Sequence, residues 1–148
     1  MSRRTVITIL MADDDEDDCL LAREALVESR LAISSLNFVQ DGEQLLDYLY
    51  HRGKYSDLKL SPRPGLILLD LNMPKKDGRE ALRQIKADEN LRQIPIVVLT
   101  TSKADEDIYR SYDQGANSFI TKPVTFSGLV EVMRTLGRYW FEIVELPL

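Results

Sequence analysis

Five short apolar runs recur along this chain with longer amphipathic segments between them: Val6–Met11, Ser35–Val39, Leu66–Asp70, Ile96–Leu99 and Ser118–Thr121. Strands that are apolar almost throughout, rather than at every second residue, are buried on both faces, and the helices between them supply the cover. The pattern predicts an α/β class fold, a doubly wound five-stranded parallel sheet with helices on both faces. At 148 residues the chain suits one domain with one core. The core is expected over about residues 5–136, with residues 137–148 as a C-terminal helical extension.

Helix starts are written between the runs. Asp41-Gly-Glu-Gln44 and Asp77-Gly-Arg-Glu80 each place an N-cap side chain three residues before Glu or Gln, the spacing of a capping box. Gly115 suits a left-handed helix end. The last helix is expected to begin near Thr125 and to carry Leu129, Met133, Leu136, Trp140 and Ile143 on its apolar stripe. The stretch from His51 to Gly65, ending in Pro62-Arg-Pro-Gly65, reads as an exposed loop.

Charge and composition narrow the function. A formal net charge of -5 and a pI near 4.9 argue against nucleic acid or anionic lipid as a partner. No apolar run approaches the ~20 residues of a membrane span, and the N-terminus leads straight into a strand pattern, so a cytoplasmic protein is expected. The lone Cys19 rules out an internal disulfide. With Cys19 and His51 as the only such ligands, the usual zinc sites are out of reach.

In a sheet of this kind, functional groups gather at the carboxyl ends of the strands, beside the point where strand order reverses. The residues following the strands are Asp13 and Asp14, then Asp70, Leu71 and Asn72, then Thr100-Thr101-Ser102, then Thr121, Lys122 and Pro123. Three acids, two threonines and a lysine thus converge from four parts of the chain. Asp14 and Asp70 offer the hard oxygens that Mg²⁺ prefers. Asp70 is also a nucleophile toward phosphorus, giving an acyl phosphate. Lys122 and the metal would neutralise the transferred phosphoryl group, and the Thr100 hydroxyl would bond one of its oxygens.

These residues resemble the receiver domain of two-component response regulators. The acidic pair Asp13/Asp14, Asp70 in LILLDLNMPKKDG, Thr100 in IVVLTTS, and Lys122 in TKP stand in the family's order and spacing over roughly Val6–Leu136. The long loop with RPGLILLDLNMPKKDGREAL, and the ending YWFEIVELPL, are similar to single-domain regulators paired with phytochrome histidine kinases. The resemblance implies the flavodoxin-like receiver fold and phosphorylation of Asp70. It implies Mg²⁺ held by Asp14, Asp70 and the Asn72 backbone carbonyl, with Asp13 positioning metal-bound water. Lys122, Thr100 and Thr101 would serve the phosphoryl group, Thr100 and Phe119 would act as the switch pair, and the peptide before Pro123 would be cis.

The partners the resemblance implies are a sensor histidine kinase, such as a phytochrome, or a phosphotransfer protein, together with a downstream protein partner. With no output domain after residue 148, the signal is expected to pass by protein contact or phosphorelay. The protein is then a switch, catalysing only its own phosphotransfer and slow dephosphorylation. Surplus apolar residues on the last helix (Phe126, Val132, Tyr139 and others), with Val144, Leu146 and Leu148 beyond, predict a homodimer.

Other readings compete. Asp13, Asp15, Asp17 and Glu24 fall at positions of a calcium loop, but Asp18 replaces its glycine and a strand precedes it. A phosphatase of the dehalogenase type needs a second acid where this chain has Asn72, which cannot donate a proton as an acid does. A flavin protein needs a phosphate cradle after the first strand, where this chain has acids. Asp15 through Asp18 read as a solvated first turn favouring the helix dipole. Cys19 reads as helix packing, and His51 as a surface residue at a helix or loop end.

Overall fold

A computed structural model describes residues 7–28 and 35–147. The strands are β1 (Thr8–Ala12), β2 (Ser35–Val39), β3 (Leu66–Leu69), β4 (Ile96–Thr100) and β5 (Ser118–Thr121). The helices are α1 (Glu16–Glu28), α2 (Gly42–Tyr50), α3 (Gly78–Ala87), α4 (Asp105–Asp113) and α5 (Phe126–Gly137). All strand pairs are parallel, in the order β2-β1-β3-β4-β5. The doubly wound sheet is therefore as expected, with strand ends moved by a residue or so; Val6 lies outside the described residues. β1, β3 and β4 are buried along their whole length, because each has neighbours on both edges and helices on both faces.

Two apolar layers flank the sheet. One joins the even side of β1 (Leu10, Ala12) and its β3 and β4 counterparts to α2 and α3. The other joins Ile9, Met11, Leu66 and Leu68 to α1 and α5 through Ala22, Leu26, Val130 and Met133. One residue of register separates the two faces of each strand, so every strand feeds both layers.

Both capping sequences start helices. Asp41 accepts from the Gln44 N–H at 2.7 Å, and Asp77 from the Glu80 N–H at 3.1 Å. Only the first closes backwards, and it does so one residue early: Gln44 Oε1 accepts from the Gln40 N–H at 2.8 Å. Glu80 turns along the helix to Arg83 and Gln84 instead. Gly115 has φ +105, as a left-handed helix end requires.

The 51–65 segment is the expected loop, exposed over most of its length, with a single 3₁₀ turn at Gly53–Tyr55 and a fixed C-terminal end. The Tyr48 hydroxyl donates to Pro62 O at 2.8 Å, His51 Nε2 lies 2.9 Å from Ser61 O, and Ser61 is buried. One expectation needs correction: the apolar stripe of the last helix breaks. After Gly137 the chain continues as a π-helical segment, Arg138–Ile143, whose wider turn shifts the phase. Trp140 stays buried, whereas Ile143 is 67% exposed.

Candidate functional site

The reversal of strand order falls between β1 and β3, and the acids sit at their ends. Asp13 follows β1, its N–H bonded to Val39 O at 3.0 Å; Asp70 follows β3, its N–H bonded to Ala12 O at 3.0 Å. Both are buried, while Asp14 is exposed on the rim. One carboxylate oxygen from each of Asp13, Asp14 and Asp70 lies within 4.8 Å of the others.

Each oxygen of Asp70 is engaged. Thr100 Oγ1 donates to Oδ1 at 2.7 Å, the Asn72 N–H donates to the same oxygen at 3.2 Å, and Lys122 Nζ donates to Oδ2 at 3.1 Å. Lys122 is placed by β5, whose last rung is its own N–H to Thr100 O at 2.8 Å. Its ammonium also lies 2.6 Å from Asp13 Oδ2 and 2.7 Å from Asp18 Oδ2. Asp13 Oδ2 accepts no hydrogen bond of good angle, so its contact with Lys122 is an ion pair rather than an aligned bond.

Burial drives the charges at this site. It pushes the Asp13 carboxyl up to about 6, against the lowering pull of Lys122 and the Asp15 N–H. Burial alone would lower Lys122, but Asp13, Asp18 and Asp70 outweigh it and hold the ammonium above the ordinary lysine value. Cys19, whose thiol points to Asp13 O at 3.6 Å, is pushed up to about 12 by burial and the nearby acids, so it stays a thiol.

A hard divalent cation fits this donor set. Three carboxylates converge, no sulfur or imidazole is among them, and one buried carboxylate oxygen lacks a hydrogen bond. The calcium-loop reading does not survive: residues 16–28 form α1, and Glu24 lies exposed on that helix, which cannot wrap around an ion near Asp13.

The remaining site residues differ in placement. Asn72 is exposed, and its side-chain oxygen accepts from Arg79 Nη2 at 3.3 Å. Thr101 is exposed and makes no hydrogen bond to Asp70; it lines a groove with Lys122, Leu21 and Phe126. Phe119 is half-buried against the α2/α3 layer, and its N–H donates to the Tyr112 hydroxyl on α4 at 3.1 Å. No peptide among the described residues is cis, so the bond before Pro123 is trans, contrary to expectation.

Two groups went unread in the sequence. Asp18 belongs to the site, not to a solvated turn: α1 is capped by Asp15, whose Oδ1 accepts from the N–H groups of Asp17 and Asp18, and this phase turns Asp18 toward Lys122. The sequence held no local signal for it, because α1 begins only at Glu16 and the run of six acids offers several caps. The second group is a clamp. Arg79 donates to both carboxylate oxygens of Asp107 at 2.7 Å and to Leu71 O at 3.4 Å, and Ser102 Oγ donates to Asp107 at 2.6 Å. It ties the loop after β3 to the first turn of α4.

Comparison with known proteins agrees with this geometry. The model of the response regulator receiver domain matches residues 9–134. Response regulator Rcp1 of Synechocystis is 40% identical over 139 residues, covering 94% of this chain and 92% of that protein. Its Mn²⁺-bound structure superposes with a TM-score of 0.86 at 39% identity, covering 96% and 99% of the two chains. The phosphorylated cyanobacterial phytochrome response regulator RcpA gives a TM-score of 0.89 at 40% identity, over 97% of this chain and all of that one (100%). Response regulator RPA3017, from red light signalling of R. palustris, gives 0.88 at 38% identity over 97% and 99%. With five parallel strands in this order, three strand-end acids facing a lysine and a threonine, and these relatives, the chain belongs to the response regulator receiver domain family.

Proposed function

We propose that this receiver takes a phosphoryl group onto Asp70 from the phosphohistidine of a partner kinase. One observation carries the assignment: Asp70 alone is a buried strand-end carboxylate with Thr100 on one oxygen and Lys122 on the other. A carboxylate oxygen of Asp70 attacks phosphorus, the P–N bond to the donor imidazole breaks, and the imidazole leaves with the electron pair. Asp13, Asp14, Asp70 and the Asn72 carbonyl would hold Mg²⁺, which supplies positive charge to the phosphoryl oxygens when bound. Lys122 supplies a second, fixed positive charge. Thr100 exchanges its bond to Asp70 for one to a phosphoryl oxygen, and the space it vacates is the cue for Phe119 on the neighbouring strand. Thr101, at the groove beside Lys122, would flank the phosphoryl group.

Asn72 offers no general acid, so turnover of ordinary phosphate esters should be negligible and the aspartyl phosphate should hydrolyse slowly. Protein contact or phosphorelay then carries the signal in the cytoplasm. The likeness to Rcp1, RcpA and RPA3017 supports a phytochrome-type kinase as donor. Exposed Phe126 on α5, with Tyr139 and Ile143 on the π-helical segment, supports a homodimer through this C-terminal face, although Val144 and Leu146 fold back onto the α1/α5 layer and make the free patch smaller than the sequence alone suggests; Leu148 lies outside the described residues.

Incubation with acetyl phosphate and Mg²⁺, followed by mass mapping, tests the assignment. One phosphate on Asp70 is expected. Labelling of His51, or undiminished labelling of Asp70→Asn, would refute it. Sedimentation with and without phosphorylation tests the dimer; a monomer at micromolar concentration in both states would exclude it.

A further inference from the structure

Lys122 has three anionic partners, and they are not equivalent. Asp13 and Asp70 belong to the carboxylate cluster suited to a cation; Asp18, 2.7 Å from the same ammonium, does not. The lysine side chain is 11% exposed, so its charge has little access to water and needs a counter-charge close by. Once Asp13 and Asp70 give their charge to a cation, that counter-charge has to come from elsewhere. Among the described residues only Asp18 remains within ion-pair distance. It is fixed in place, since α1 is capped by Asp15 and its first turn cannot rotate without losing those bonds. It is also one-third exposed, so water reaches its carboxylate.

We propose that Asp18 is a positioning residue that holds the Lys122 ammonium whenever Asp13 and Asp70 bind a divalent cation. It lowers the cost of prising Lys122 from the two acids and leaves the ammonium at the site's edge, ready for a phosphoryl oxygen. The role rests on the reading that Asp13, Asp14 and Asp70 bind the cation.

The test is Mg²⁺ titration of the full chain by calorimetry or NMR, with no phosphate present. Asp18→Asn should weaken Mg²⁺ binding roughly tenfold, equal to about 1.4 kcal/mol. In a Lys122→Met background the same substitution should cost about threefold or less, the screened Coulomb effect of one lost negative charge. Asp17→Asn removes the same charge one residue away without a bond to Lys122, so it should also cost about threefold or less; this comparison decides the matter if Lys122→Met fails to fold. Equal losses for Asp17→Asn and Asp18→Asn, or equal losses in both lysine backgrounds, overturn the role of Asp18. Binding that is lost in Asp14→Ala but undiminished in Asp18→Asn overturns that role alone. Affinity left intact by Asp14→Ala overturns the cation site, and this role with it.

Discussion

Gly78 sets how closely α3 approaches Asp70, and replacing it by alanine is a severe local test. A Cβ built there would lie 2.1 Å from the Asp70 carbonyl oxygen and 2.8 Å from Leu71 Cα, both backbone atoms. Real Cβ atoms essentially never come within 3.0 Å of such neighbours, so a gap of about 1 Å must open between α3 and the end of β3. Neither side yields easily, because Gly78 N–H is bonded to Leu71 O at 2.9 Å and Asp70 N–H to Ala12 O. Overpacking against backbone costs about 3 kcal/mol. Alanine's helix preference returns up to ~1 kcal/mol. The net loss of about 2 kcal/mol lowers the melting temperature by roughly 4–8 °C in a domain of this size. Gly53→Ala is the control: its Cβ meets nothing within 4 Å, but φ is +59, so it should cost only about 1 kcal/mol. Thermal melts of both variants, and acetyl phosphate labelling of each, separate the effects. Gly78→Ala should melt lower and label more slowly, because the displaced carbonyl belongs to Asp70; Gly53→Ala should label as wild type. If Gly78→Ala melts at or above Gly53→Ala and labels normally, the close approach does not control the site.

Three further outcomes are expected. The Arg79 guanidinium holds the Asp107 carboxyl down at about 2 from its ordinary 3.8, so the clamp's contribution is fully present above about pH 4 and is lost as pH falls toward 2; with Arg79 38% exposed, solvent screening leaves about 1 kcal/mol. The difference in urea midpoint between wild type and Asp107→Asn should therefore be largest near pH 6 and shrink by pH 3; a constant difference would contradict the ion pair. Tyr48→Phe leaves Pro62 O and the Asn37 amide without their shared hydroxyl, and should cost about 1 kcal/mol in denaturant melts while Asp70 labelling stays normal. Lys122→Met removes the cation that answers Asp13, Asp18 and Asp70, so Mg²⁺ should raise its melting temperature more than that of wild type; a smaller rise would mean that Lys122 does not compete for those carboxylates.

Much of this was readable from the residues, for definite reasons. β1, β3 and β4 are buried on both faces, and such strands announce themselves as unbroken apolar runs. Asp13, Asp70 and Thr100 follow from them, and Lys122 from the end of β5, since a strand end is a place the topology brings to one edge whatever the helices do. Asp18 was illegible for the complementary reason. Which side of a helix faces inward in its first turn depends on the residue that caps it, and six consecutive acids offer several caps; only the bonds from Asp15 settle the phase. Arg79 and Asp107 stand 28 residues apart in separate helices, and an Arg–Asp pair at that separation has no local signature. Ile143 failed because its prediction assumed 3.6 residues per turn, and the Val144 N–H bonds five residues back, to Tyr139 O.

The strand order has a mechanical consequence. β1 and β3 lie inside the sheet, laddered on both borders, and they carry the carboxylates. β5 is a border strand joined to β4 alone, and it carries Lys122. Moving Asp70 strains two ladders, whereas moving Lys122 strains one, so the compliance of the site is lopsided by construction. The acids act as a stiff anvil, and the lysine rides on a softer lever that also bears Phe119 and leans on Tyr112 of α4. A load applied at the carboxylates is thus taken up at the sheet's free border, next to α4, a helix in which only Ser111 is buried.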